Sequence, residues 1–180
     1  MGIKIVRSPV GISLNQHKYV LKLISDSGLS ACKLNIVPVE QNTKLTTREY
    51  DNGISSLEVD PPIKDPSHYQ RLVGRFIYLT MIRLDISYAV HILNQIMHAP
   101  KQSHMDAAMK VLRYLKGCPG LGLLLPRDEN LSITARCDSD LATCPMTRKS
   151  FTGLCVKLGG SLISWKTKKQ STTLLSSVKA

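Results

Sequence analysis

The spacing of apolar residues changes between the middle and the tail of this 180-residue chain, and that change limits the folds open to it. Over residues 69–115 they recur every three or four positions, whereas over 131–137 they alternate with polar residues. A 3.6-residue period buries one stripe of a helix, and a two-residue period buries one face of a strand. Helices and strands are thus segregated between the middle and the tail, which predicts an α+β fold. Apolar residues make up 43% of the composition, enough for a core to which the 5% of aromatics add little.

The middle of the chain predicts three helices. Tyr69, Leu72, Val73, Phe76, Ile77 and Leu79 form the stripe of the first. Asp85 is read as the cap of the second, over residues 86–97, with Ala89, Ile92, Leu93 and Ile96 on one side and Pro100 as its stop. The third begins at Ser103, buries Ala107, Ala108, Val111, Leu112 and Leu115, and closes at Gly117. Ahead of these lies a short head: a hairpin around Ser8-Pro-Val-Gly11, then a helix capped by Asn15 and ended by Gly28. Residues 40–65, rich in Pro, Asn, Asp, Ser and Thr and without a sustained period, read as an extended linker. The tail reads as three antiparallel strands, 131–137, 151–158 and 162–166, the last two joined by Gly159-Gly160, and then the start of a helix at 174–180.

Twenty-four Lys and Arg against thirteen Asp and Glu give a net charge of +11. That excess favours an anionic partner, with nucleic acid ahead of a membrane surface. Eight of the basic residues fall in the last fifty positions, against Asp138 and Asp140 alone. No apolar run approaches the roughly eighteen residues needed to span a bilayer, and the first residues lack the apolar stretch of a secretory signal. The five cysteines form no C-x-x-C pair, as expected of thiols in a reducing compartment, and the expected location is intracellular.

Two groups of residues could carry chemistry. Asp138 and Asp140, two apart at a strand end, share a face, and such carboxylates can hold Mg²⁺ for attack on a phosphodiester. The same pair also suits a strand-to-turn junction. Lys166, Lys168 and Lys169 beside Trp165, with Arg148 and Lys149 brought near by strand pairing, could contact phosphates, or could keep a solvated strand edge soluble. His17, His68, His91, His98 and His104 accompany no nucleophile elbow and read as helix-surface or helix-end residues.

Seven segments in order are recognisable: Tyr69-Gln-Arg-Leu-Val-Gly, Ile77-Tyr-Leu-Thr, Asp85-Ile-Ser-Tyr-Ala-Val, Val111-Leu-Arg-Tyr-Leu-Lys-Gly, Cys137-Asp-Ser-Asp, Thr147-Arg-Lys-Ser-Phe-Thr-Gly and Ile163-Ser-Trp-Lys-Thr-Lys-Lys-Gln. Together they resemble the copia-type retrotransposon Pol polyprotein, abundant in plant genomes, from the end of its reverse transcriptase into its ribonuclease H. The resemblance implies a thumb-like remnant at 1–39, a linker at 40–65, a helical connection at 66–117 and a truncated ribonuclease H-like domain at 118–180. The family's polymerase metal motif, of Tyr-Val-Asp-Asp type, is absent from this chain.

The resembled nuclease seats two Mg²⁺ on four carboxylates. Asp138 matches the first, while Lys179 occupies the position of the second, a Glu in a Ser-Ser-x-Glu-Ala pattern. Leu141 and Thr143 depart from the family's Asp-Trp-Ala-Gly, and Leu84 from its Arg-Pro-Asp. Placing an ammonium where a carboxylate should bind a cation is costly: at about 4 Å and an effective dielectric of 20, each unit-charge interaction is worth roughly 4 kcal/mol. The expectation is a catalytically incompetent polyprotein fragment without a bound cofactor. Its expected partners are RNA, DNA or their hybrid, held without sequence preference. A protein-interaction module, or a nuclease part completed in trans, is the alternative.

Overall fold

The computed structural model describes residues 2–40, 43, 45–54, 60–127 and 130–172. In chain order these form β1 (Lys4–Ser8), β2 (Gly11–Asn15), α1 (His17–Asp26), α2 (Arg48–Ile54), α3 (Pro66–Leu79), α4 (Ser87–Asn94), α5 (Gln102–Gly117), β3 (Gly122–Pro126), β4 (Ile133–Ser139), β5 (Phe151–Leu158) and β6 (Ser161–Lys169). The fold is α+β, as the change of period predicts. The chain divides into two compact units, a helical one of His17–Gly120 and a stranded one of Met1–Gln16 with Leu121–Ala180. The helix start expected at 174–180 lies outside the described residues.

In the helical unit the predicted stripes become the core. Val20, Leu23 and Ile24 of α1, Leu72, Val73 and Phe76 of α3, Val90 and Leu93 of α4, and Val111, Leu112 and Leu115 of α5 are all buried together. Each such side chain contributes about 1.5–3 kcal/mol through burial. The Asp65 carboxylate accepts the Ser67 N–H at 2.9 Å and caps α3, whose first turn carries Pro66, where a missing N–H costs nothing. Buried Tyr69 donates its hydroxyl proton to the Leu93 carbonyl at 2.8 Å, tying α3 to α4.

Three readings are corrected here. Asp85 caps no helix: it sits in a 3-10 turn, Leu84–Ile86, and its carboxylate pairs with Arg83 while α4 starts without a side-chain cap. The stretch read as an extended linker contains α2 and is fastened to the start of α5. The buried ammonium of Lys101 pairs with Asp51 of α2 and, at 3.0 Å, with Asp60, whose carboxylate also takes the Ser103 hydroxyl and N–H. His104 is a helix-end residue, in the first turn of α5, but it is fully buried and not on the surface. There its Nδ1 accepts the Lys101 N–H at 2.9 Å while Nε2 lies 3.1 Å from the Thr46 carbonyl.

The stranded unit contains two antiparallel three-stranded sheets, ordered β1-β2-β3 and β4-β5-β6. The head hairpin forms as expected, but it gains β3, the short apolar run near 121–125, as its third strand. That pairing brings backbones so close that a Cβ on Gly11 would run into the Leu125 carbonyl oxygen, and Gly11 holds a positive φ of 150°. In the second sheet β5 is central, Asp138 lies opposite Gly153, and Gly153 opposite Thr167. A register shift interrupts β5–β6 between Val156 and Lys157.

Candidate nucleic-acid interface

The two aspartates at the end of β4 do different jobs. Asp138 is exposed and its Oδ1 accepts the N–H of Ser139 at 2.9 Å. Asp140, just past the strand, accepts the Phe151 N–H at 2.6 Å and returns its own N–H to the Phe151 carbonyl at 3.1 Å. Asp140 thus closes the base of the loop between β4 and β5. Among the described residues no three His, Cys, Asp or Glu converge to hold a metal ion. One exposed aspartate does not match the donor set that a pair of Mg²⁺ requires, since these hard cations are bound through several oxygens. Lys179 lies outside the described residues.

The basic candidates are separated by the strand pleat. Residues directly opposite in an antiparallel pair share a face, so Lys166 joins Leu154 and Cys137, and Lys168 joins Thr152 and Ser139. Lys169 falls on the other face, opposite Phe151 and with Asp138. On the first face Lys166 and Lys168 are exposed and, with Thr152, Leu154 and Gln170, line a concavity of about 380 Å³. Gln170 orders its rim, its side-chain amide donating to the Ser139 hydroxyl at 3.0 Å and the Thr152 hydroxyl at 2.9 Å.

Lys169 is committed to the loop. Burial disfavours ionisation of the Cys144 thiol, but hydrogen bonds from Lys169 and Thr147 outweigh it and hold that thiol below its usual pKa. Arg148 and Lys149 belong to the same loop, where Arg148 takes a positive φ of 54° and donates its N–H to the Cys144 carbonyl at 2.8 Å. The Lys149 carbonyl accepts the Cys144 N–H at 3.1 Å, and the buried Ser150 hydroxyl accepts that of Ala142 at 3.0 Å. Arg148 itself is exposed and Lys149 half-buried. Of the five basic residues singled out in the sequence, Lys166 and Lys168 alone share the concavity. The two-residue period already carried that split, since 166 and 168 are even and 169 is odd.

Sequence reasoning missed the two buried polar clusters of the helical unit. Arg83 donates Nη1 to the Cys118 carbonyl at 2.9 Å, and Tyr114 donates its hydroxyl to Asp85 at 2.8 Å. Burial alone would raise the Asp85 pKa, yet the Arg83 guanidinium and the Tyr114 hydroxyl bring it below the usual carboxylate range. Burial and the Asp85 charge push the Tyr114 phenol up to about 12. Burial likewise opposes the charges at Lys101, Asp51 and Asp60, and their mutual pairing overcomes it, raising the first and lowering the other two. The first of these clusters joins Asp85-Ile-Ser-Tyr to Val111-Leu-Arg-Tyr through Asp85 and Tyr114, so recognisable sequence here serves folding.

Comparison with known proteins places the chain. An uncharacterized mitochondrial protein of Arabidopsis thaliana is 38% identical over 179 residues, covering 98% of this chain and 69% of that protein. The retrovirus-related Pol polyprotein of transposon RE1, from the same plant, is 36% identical over all 180 residues. The chain belongs to the copia-type retrotransposon Pol family. The Pol polyprotein of the tobacco transposon TNT 1-94 is 28% identical across the chain's full length. This Pol segment spans 12% of the RE1 polyprotein and 13% of the TNT 1-94 polyprotein. No protein-family model matches the chain, and no solved structure matches it. Among the described residues no helix is long and apolar enough to cross a membrane.

Proposed function

We propose that this copia-type Pol segment is catalytically incompetent and binds RNA, DNA or their hybrid without sequence preference, through the face of the β4-β5-β6 sheet that carries Lys166 and Lys168. The observation that carries the binding is the pairing of exposed Lys166 and Lys168 beside one concavity, with Thr152 and Gln170 as neutral polar groups. Lysines so arranged neutralise phosphates as point charges and read no base edges. The sheet corresponds in this reading to the opening strands of a ribonuclease H-like domain, with Asp138 a vestigial ligand. Lys179, in place of a glutamate, adds a cation where another would have to bind.

Binding is tested by fluorescence anisotropy with a labelled RNA–DNA hybrid from about 50 to 500 mM salt. Affinity is expected to fall steeply with salt, by a slope of about −0.9 per neutralised phosphate. Replacing both Lys166 and Lys168 by Gln should flatten that slope by about two, while Lys110→Gln, a lysine paired with Glu40 in the helical unit, should not change it. Affinity that does not change with salt would refute phosphate binding.

A further inference from the structure

The segment Tyr69-Gln-Arg-Leu-Val-Gly is only partly used by the core. Tyr69, Leu72 and Val73 are buried, and the Gln70 amide donates to the Met97 carbonyl at 2.9 Å. Arg71 and Gly74 are exposed, and a Cβ on Gly74 would meet nothing within 4 Å. Helix packing therefore does not account for either residue. Both line an open groove of about 420 Å³ between α1 and α3, together with Tyr19, Asp26, His68 and Arg75.

The electrostatics of this groove favour an anion. His68, Arg71 and Arg75 follow i, i+3, i+7 spacing on α3 and so form one stripe. The stripe extends about 10 Å along the axis, enough to reach neighbouring phosphates of one strand. Asp26 is shared by two cations, 2.9 Å from the Arg75 guanidinium and 3.9 Å from the Lys22 ammonium, so it steadies Arg75 without cancelling the site. Asp65, at the end of the stripe, is occupied in capping α3. Burial lifts the Tyr19 phenol above its ordinary pKa against the opposing charge of Arg75, so at neutral pH it remains a proton donor.

We propose that the groove between α1 and α3 is a second contact for a nucleic-acid backbone. Arg71 and Arg75 grip phosphate oxygens, His68 and the Tyr19 hydroxyl add hydrogen bonds, and Gly74 leaves room for the strand to lie close to α3. The site shares its ligand class with the sheet face but rests on different residues in the other unit.

The test uses the full chain, a labelled RNA–DNA hybrid and anisotropy across a salt series. Arg71→Gln should weaken binding about three- to tenfold at low salt and flatten the salt slope by about one. The same loss should appear when Lys166 and Lys168 are already Gln. Arg71 is exposed, so thermal melts should overlay and separate lost contact from lost fold. Unchanged affinity and slope in both Arg71→Gln and Arg71→Glu would overturn the groove. If Arg71→Gln weakens binding while the sheet lysines prove silent, the sheet reading falls and the groove stands. An unaltered protein that does not bind the hybrid removes both.

Discussion

Arg83 holds Asp85, two residues further along, by a fork of hydrogen bonds: Nε lies 2.9 Å from Oδ1 and Nη2 2.7 Å from Oδ2. The Arg83 side chain is only 1% exposed, so this pair is an internal fastening for the end of α5. Taking away one partner strands the other charge in a site it cannot leave. Asp85→Ala should cost about 3–5 kcal/mol in urea unfolding, and adding Arg83→Met should recover most of the loss. The sign of the pH dependence follows from the lowered Asp85 pKa. The stabilisation is complete above the unfolded value of about 3.9 and is lost as pH falls through the folded one. Asp85→Asn should flatten that acid limb.

His104 predicts a second pH step at milder acidity. Burial, with the nearby Lys101 charge, lowers its pKa against the opposing pull of Asp60, Asp51 and the Thr46 carbonyl. An unfolded chain takes up a proton below about pH 6.5, which the buried ring refuses until lower pH. Stability present above 6.5 should therefore decline by up to about 1.4 kcal/mol per pH unit until the folded value is passed. His104→Gln, whose amide oxygen can still accept the Lys101 N–H, should remove this step in unfolding curves measured between pH 7 and 5.

How much of this was legible depends on the range of the interaction. The stripes of α1, α3 and α5 announce themselves because burial repeats along one helix, β4 because apolar and polar residues alternate over 131–137, and β5 and β6 because Gly159-Gly160 marks the turn between them. Pairing of β3 with the head hairpin leaves no local mark, since Gly11 meets Pro126 across more than a hundred residues. The segment over 40–65 looked structureless for the same reason, its order coming from Lys101 far along the chain. Asp85 resembled a helix cap because only the folded chain shows Arg83 and Tyr114 converging on it. At the candidate interface the basic run was visible, but the face each lysine takes required the register.

Lys101 is the clasp on that segment, and its loss should be seen in local opening. In Lys101→Met the Ile63 N–H, held by the Pro100 carbonyl at 3.1 Å, and the Gln102 N–H, held by that of Pro61 at 3.0 Å, should exchange faster with deuterium. Amides in the middle of α5 should speed up less than these two, while global stability drops by about 3 kcal/mol because Asp51 and Asp60 lose their shared cation. Unchanged exchange at Ile63 and Gln102 would mean that the clasp is redundant.

Gly11 tests the long-range strand. A methyl group there collides with the Leu125 carbonyl and forces a positive φ on an L-residue. Gly11→Ala should destabilise the β1-β2-β3 sheet by more than about 1 kcal/mol, whereas Gly74→Ala in α3, with open space around it, should stabilise by about that amount. Thermal melts of the two variants should move in opposite directions.

Catalytic incompetence is tested most directly by incubating the purified chain with a labelled RNA–DNA hybrid in Mg²⁺ or Mn²⁺ and resolving the RNA strand by length. If Asp138 is the one ligand position kept and Lys179 replaces the second, as proposed, the RNA should stay intact at every protein concentration and with either metal. Cleavage that disappears in Asp138→Asn would contradict the account.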